Sequence, residues 1–133
     1  MKSINIQAKE WFDKVNGNSY FAGTVTLDEG LKSKEVFLMP VQYGYGNQYK
    51  HQATSILTEF NKISLPYFTS LNSFCENNNI EIESSIKPVS KRRKLEEVVS
   101  EYNKSIERVS FWDSYDHEVL KDIVTIKLND LNR

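Results

Sequence analysis

The chain has 133 residues and carries a formal net charge of −1, with 39% hydrophobic, 26% charged and 12% aromatic residues. That is enough chain for one core and too little for two, and the balanced composition excludes a disordered, fibrous or uniformly basic nucleic-acid-coating protein. No apolar run approaches the roughly 20 residues of a membrane span, the N-terminus lacks the apolar segment of a signal peptide, and the single cysteine, Cys75, fits a reducing, cytoplasmic setting.

In chain order, Ile4, Ile6 and Ala8 alternate with polar residues, the period of a half-buried strand. Asn16-Gly17-Asn18 is a turn signal, because Asn and Gly accept positive φ. The reading is a hairpin with strands over roughly 4–14 and 19–27. A third strand is predicted at about 35–42, ended by Pro40. After the Tyr43-Gly44-Tyr45-Gly46 loop, Asn47 is placed to cap a helix whose apolar face holds Tyr49, Ala53, Ile56, Leu57, Phe60 and Ile63. A second helix is read from Pro66, with Tyr67, Leu71, Phe74 and Cys75 on its stripe. Ile80, Ile82 and Ile86 mark a short strand closed by Pro88. Ser90 is the expected cap of a third helix, striped by Leu95, Val98, Val99, Tyr102, Ile106 and Val109. Residues 119–128 fit a strand or a helix, and β-branching at Ile123-Val124-Thr125-Ile126 favours the strand. The predicted fold is a single α+β domain, 1–133, with an antiparallel sheet of three or more strands packed by about three helices. Residues 1–63 form a β-β-β-α unit and 64–133 a distinct second half.

Catalytic chemistry finds little support. His51 and His117 are the only histidines. His51 falls opposite the apolar stripe. His117, between Asp116 and Glu118, is the one candidate acid–base group. Neither stands at metal-ligand spacing with Cys75, which reads as a small core hydrophobe. The expectation is no enzyme activity, no cofactor and no metal.

Three features point to binding. Gly44, Tyr45 and Gly46 join a strand to a helix, the context of a phosphate cradle, but lack its Lys-Ser/Thr ending, so they read as a structural joint or a ligand contact. Lys91, Arg92, Arg93 and Lys94 oppose the positive end of a helix dipole at a few tenths of a kcal/mol each, and a locally unfavourable choice points to function. Phe111-Trp112-Asp113-Ser114-Tyr115-Asp116-His117-Glu118 interleaves aromatics with acids, the composition of a protein interface. Trp112, Asp113, Tyr115, Asp116 and Glu118 are its candidate contacts.

Two resemblances follow from these residues. The β-β-β-α order with Gly44-Tyr45-Gly46 before the helix and Ala53 within it is similar to the second half of a double-stranded-RNA-binding domain, over residues 17–60. That likeness implies a nucleic-acid-binding module. It departs from the family where a lysine pair would grip phosphate, since Asn47, Gln48 and Tyr49 stand there. Trp11-Phe12-Asp13-Lys14, Gly17-Asn18-Ser19-Tyr20 and Tyr43-Gly44-Tyr45-Gly46 with Tyr49 resemble a group of small phage and prophage proteins sharing a WF-x-K…GN-x-Y…YGYG-x-x-Y pattern, over residues 4–60. This resemblance implies a phage protein acting in the host cytoplasm. By analogy with accessory phage proteins it implies an inhibitor of host defence, an anti-CRISPR protein above all. The expected partner is a CRISPR-associated nuclease, with the basic run contacting its guide RNA or target DNA. The nucleic-acid-binding module is the alternative.

Overall fold

A computed structural model of the chain describes residues 1–65 and 69–112, with backbone alone for 107–112. Among these residues four strands and three helices follow one another as β1 (Ser3–Asp13), β2 (Asn18–Leu27), β3 (Glu35–Tyr43), α1 (Gln48–Glu59), α2 (Leu71–Asn77), β4 (Glu81–Val89) and α3 (Arg93–Trp112). The architecture is α+β. The strands form one sheet in the order β3-β2-β1-β4. Both β1 and β3 pair antiparallel with β2, while β4 pairs parallel with β1. The sheet is therefore mixed, where an antiparallel one was expected. Strands β3 and β4 point the same way at opposite edges, so their connection must cross the sheet. Helices α1 and α2 are that crossover.

The hairpin forms as expected. Asp13 pairs with Asn18, Gly17 donates its amide to the Asp13 carbonyl at 2.7 Å, and Gly17 takes φ +71°. The Asp13 carboxylate accepts from the amides of Val15 and Asn16 and from the Asn16 side chain. The Asn16 side chain is the main reason its pKa lies below the usual carboxylate value.

The two sheet faces are separated by the pleat. On one, Ile4, Ile6, Val25, Leu27, Phe37 and Met39 pack against Tyr49, Ala53, Ile56 and Leu57 of α1 and Leu71 and Cys75 of α2. On the other, Val36 and Leu38 pack against Val98, Val99, Tyr102 and Ile106 of α3. The Tyr102 hydroxyl donates to the Val36 carbonyl at 3.1 Å. Adjacent β3 residues thus serve opposite helical layers.

Several helix ends differ from expectation. Asn47 holds the cap position of α1 but makes no side-chain cap bond, since its backbone (φ −84°, ψ 5°) is not extended. The helix stops at Glu59, short of Ile63. Asn61 turns left-handed at φ +57°, while Lys62 and Asn61 return their amides to the carbonyls of Leu57 and Thr58, a Schellman closure. Ile63 is buried beyond the helix end. Asn79 (φ +55°) closes α2 in the same way, with Ile80 donating to Cys75. α2 begins at Leu71, capped by the Ser70 hydroxyl accepting from the Ser73 amide at 3.1 Å. The start at Pro66 therefore fails, and Pro66 and Tyr67 lie outside the described residues, as do 113–133 with the expected strand at 123–126. Neither Pro40 nor Pro88 ends its strand. Both stand in edge strands, where a missing donor can face outward.

Asp28 ties the start of β1 to the end of β2. Left-handed at φ +53° and buried, its carboxylate accepts from the amides of Lys2 and Ser3 and from the Ser33 hydroxyl. The Lys2 amide, followed by the Ser33 hydroxyl, lowers its pKa against the opposing effect of burial. A carboxylate depressed on folding contributes stability above its unfolded pKa and loses it as pH falls through the folded value. Asp28→Asn is therefore expected to lower Tm at neutral pH and to flatten the decline in Tm from about pH 5 downward. Thermal melts across that range check this, and an unchanged acid slope would contradict it.

Candidate nucleic-acid interface

The hairpin register and the pleat assemble three aromatics at one end of the sheet. Trp11 is directly opposite Tyr20, and Tyr20 directly opposite Tyr43. Trp11 and Tyr20 stack with ring centroids 5.9 Å apart, and Tyr20 meets Tyr43 edge-on at 6.0 Å. All three rise from the face that α3 partly covers, since Trp11 is in phase with Gln7 and Lys9, and Tyr20 with Ala22. Such cross-strand aromatic pairs stabilise a sheet by up to about 1 kcal/mol each. Yet Tyr43 is 61% exposed and Tyr45, two residues on, 66%, more apolar surface at one spot than stability asks for.

The basic run reaches this ladder through Arg92. The first i→i+4 bond of α3 runs from the Glu96 amide to the Arg92 carbonyl, which puts Arg92, and not Ser90, at the cap position. The displacement follows from β4, which continues through Pro88 to Val89 and leaves Ser90 in the turn. The Arg92 guanidinium sits 5.7 Å from the Tyr20 ring centroid, a cation–π contact. Arg92 pairs with Glu96 and Lys94 with Glu97, both at 3.5 Å. The dipole conflict is thus partly compensated on the helix itself. Lys91 and Arg93 are exposed and form no ion pair among the described residues. Lys94 is half-buried.

Two further cations share this face. Lys9 and Lys87 stand directly opposite each other on β1 and β4, a like-charge pairing that a sheet disfavours. They line a groove of about 360 Å³ along α3 with Gln7, Thr24, Tyr102, Ser105 and one carboxylate, that of Glu101. Among the described residues α3 packs chiefly against β2 and β3, and the groove runs beside it toward β1 and β4.

The sequence singled out the basic run but missed Trp11, Tyr20, Tyr43 and Lys9. Their signal was present: with Ile4, Ile6 and Ala8 pointing inward, Lys9 and Trp11 must point outward together, and the turn at 14–17 sets Trp11 against Tyr20.

The other candidates fare differently. Gly44 is buried, and a Cβ there would lie 2.7 Å from Phe21 Cε1, so the strand-to-helix joint needs glycine for packing, while Tyr45 and Gly46 face solvent. His51 is exposed on α1. Cys75 is buried, and burial pushes its thiol pKa up, away from the thiolate that nucleophilic chemistry requires. Among the described residues no group of three or more His, Cys, Asp or Glu side chains comes together, and no helix is long and apolar enough to cross a membrane. Trp112 is the last residue of α3. Asp113, Tyr115, Asp116, His117 and Glu118 lie outside the described residues, so the acidic-aromatic segment joins no described site.

No family model, curated protein or solved structure matches the chain.

Proposed function

We propose that this chain is a binding module for single-stranded nucleic acid, held on the α3 face of the sheet. The observation that carries the reading is the Trp11–Tyr20–Tyr43 ladder with the Arg92 guanidinium against Tyr20, flanked in the chain by the exposed cations Lys91 and Arg93. Bases stack on exposed aromatics whatever their identity, and phosphates follow the adjacent cations. The net charge of −1 confines attraction to this patch. The expected salt dependence is therefore shallow, with a slope of about −2 for some three phosphate contacts. Fluorescence anisotropy with a labelled mixed-sequence RNA or DNA strand, and the duplex of the same sequence, tests this. Single strands should bind better than the duplex. No binding of single strands at millimolar protein would reject it.

One observation favours a second reading, inhibition of an RNA-guided nuclease of host defence by a phage protein. Arg92 and Lys94 already have carboxylate partners, which leaves few cations for a naked strand. A nucleoprotein offers guide or target phosphates together with protein surface, and the segment from Trp112 to Glu118 would face the latter. Titration into a guided DNA-cleavage reaction separates the readings: stoichiometric inhibition supports the second, and inhibition that excess unrelated single strand relieves supports the first.

A further inference from the structure

The outer edge of β4 carries a self-complementary pattern. The Glu81 amide donates to the Lys2 carbonyl, so in this parallel ladder the odd-numbered residues of β4 bond to β1 and the even-numbered ones direct their amides and carbonyls outward. Among the described residues β4 is a sheet edge, and its outward residues are Ile82, Ser84, Ile86 and Pro88. Pro88 has no amide, so the outward residues of β4 that can both donate and accept are Ile82, Ser84 and Ile86, centred on Ser84.

We propose that a second copy of this chain pairs antiparallel with β4 about a two-fold axis at Ser84. This register pairs all three outward residues reciprocally: Ser84 with its own copy, and Ile82 with Ile86 of the second copy in both directions. Centring on Ile86 would set Ser84 against Pro88 and lose a donor. The same register places Glu81 opposite the second copy's Lys87, twice by symmetry, on the side-chain-close positions between hydrogen-bonded pairs. It joins half-buried Ile82 and Ile86 into a four-isoleucine cluster on the α1–α2 face. It also sets a carboxylate beside Lys87, which stands directly opposite the like charge of Lys9 on β1. The symmetry is isologous and closed, which ends assembly at two. One strand pair is a small interface, so the dimer is weak and concentration-dependent.

Sedimentation equilibrium of the full chain up to millimolar concentration tests the proposal. A monomer–dimer equilibrium is expected. Glu81→Lys and Lys87→Glu should each raise the dimer Kd about tenfold, and the double variant should restore it. Ser84→Pro removes an amide that β1 does not use and should leave a folded monomer by circular dichroism. Ser84→Cys should form an intermolecular disulfide under mild oxidation, since directly opposed hydrogen-bonded residues lie about 5.5 Å apart at Cα and Cys75 is buried. A chain that stays monomeric at millimolar concentration, a Ser84→Cys variant that does not cross-link, or a charge-swapped pair that does not recover would overturn it. The last outcome would mean that the edge pairs in another register.

Discussion

Gly23→Ala is expected to lower Tm by about 10 °C or to leave the chain unfolded. Gly23 sits in the central strand β2, between Ala8 of β1 and Met39 of β3. A Cβ added there would lie 2.8 Å from Ala8 Cα and 2.9 Å from Met39 Cε, and closer still to the Gln7 carbonyl oxygen. Met39 can shift its terminal methyl, but Gln7 and Ala8 present backbone that is fixed by ladders on both sides. Relief requires separating β1 from β2, the pair on which β4 also depends. Overpacking of this kind costs about 3 kcal/mol. Gly30→Ala provides the contrast: a Cβ there meets nothing within 4 Å, and only the φ of +82° is unfavourable, at about 1 kcal/mol. Denaturant or thermal unfolding of both variants checks the order, and equal losses would show that crowding at Gly23 is not the cause.

Tyr43→Ala should lower the affinity for a nucleic-acid strand about tenfold or more, the loss of one base–aromatic stack, while the fold is retained. The ring is 61% exposed and meets Tyr20 only by its edge, so truncation opens no cavity. Arg93→Glu should weaken binding less selectively and make the salt slope shallower by about one. Arg93 and Lys91 are exposed and unpaired among the described residues, so replacing both by Gln should leave Tm nearly unchanged. Arg92→Gln gives up the Glu96 pair and the Tyr20 contact, worth a few tenths of a kcal/mol at an exposed site. Anisotropy and melting curves on the same samples separate the two roles. If Tyr43→Ala binds as the parent does, the ladder is a stabilising feature alone.

The distinction between stabilising and binding residues was only half visible before the fold was known. The basic run stood out because cations at a helix start oppose the dipole. Its compensation by Glu96 and Glu97 needed the true helix boundary, which Ser90 disguised. Serine is a good cap by chemistry, but β4 had already claimed the chain as far as Val89. Pro40 and Pro88 misled for a related reason. Proline ends a strand only where its missing amide would face a neighbour, and whether a neighbour exists is a property of the sheet.

What the amino-acid order determined by itself was local. Alternation at Ile4, Ile6 and Ala8, the Asn16-Gly17-Asn18 turn and the apolar stripe from Tyr49 to Leu57 specify strand, hairpin and helix, because their energetics involve residues a few positions apart. The order of β3-β2-β1-β4 and the parallel direction of β4 were decided by tertiary structure. A period of two says which face of a strand is apolar and nothing about which strand lies beside it. The candidate site belongs to the second class. Trp11, Tyr20 and Tyr43 are up to 32 positions apart, by their numbering, and Arg92 is farther still. They meet because hairpin register, the β2–β3 pairing and the crossover bring one end of three strands to the start of α3. That juxtaposition depends on long-range pairing free energy, to which no short stretch of the chain refers.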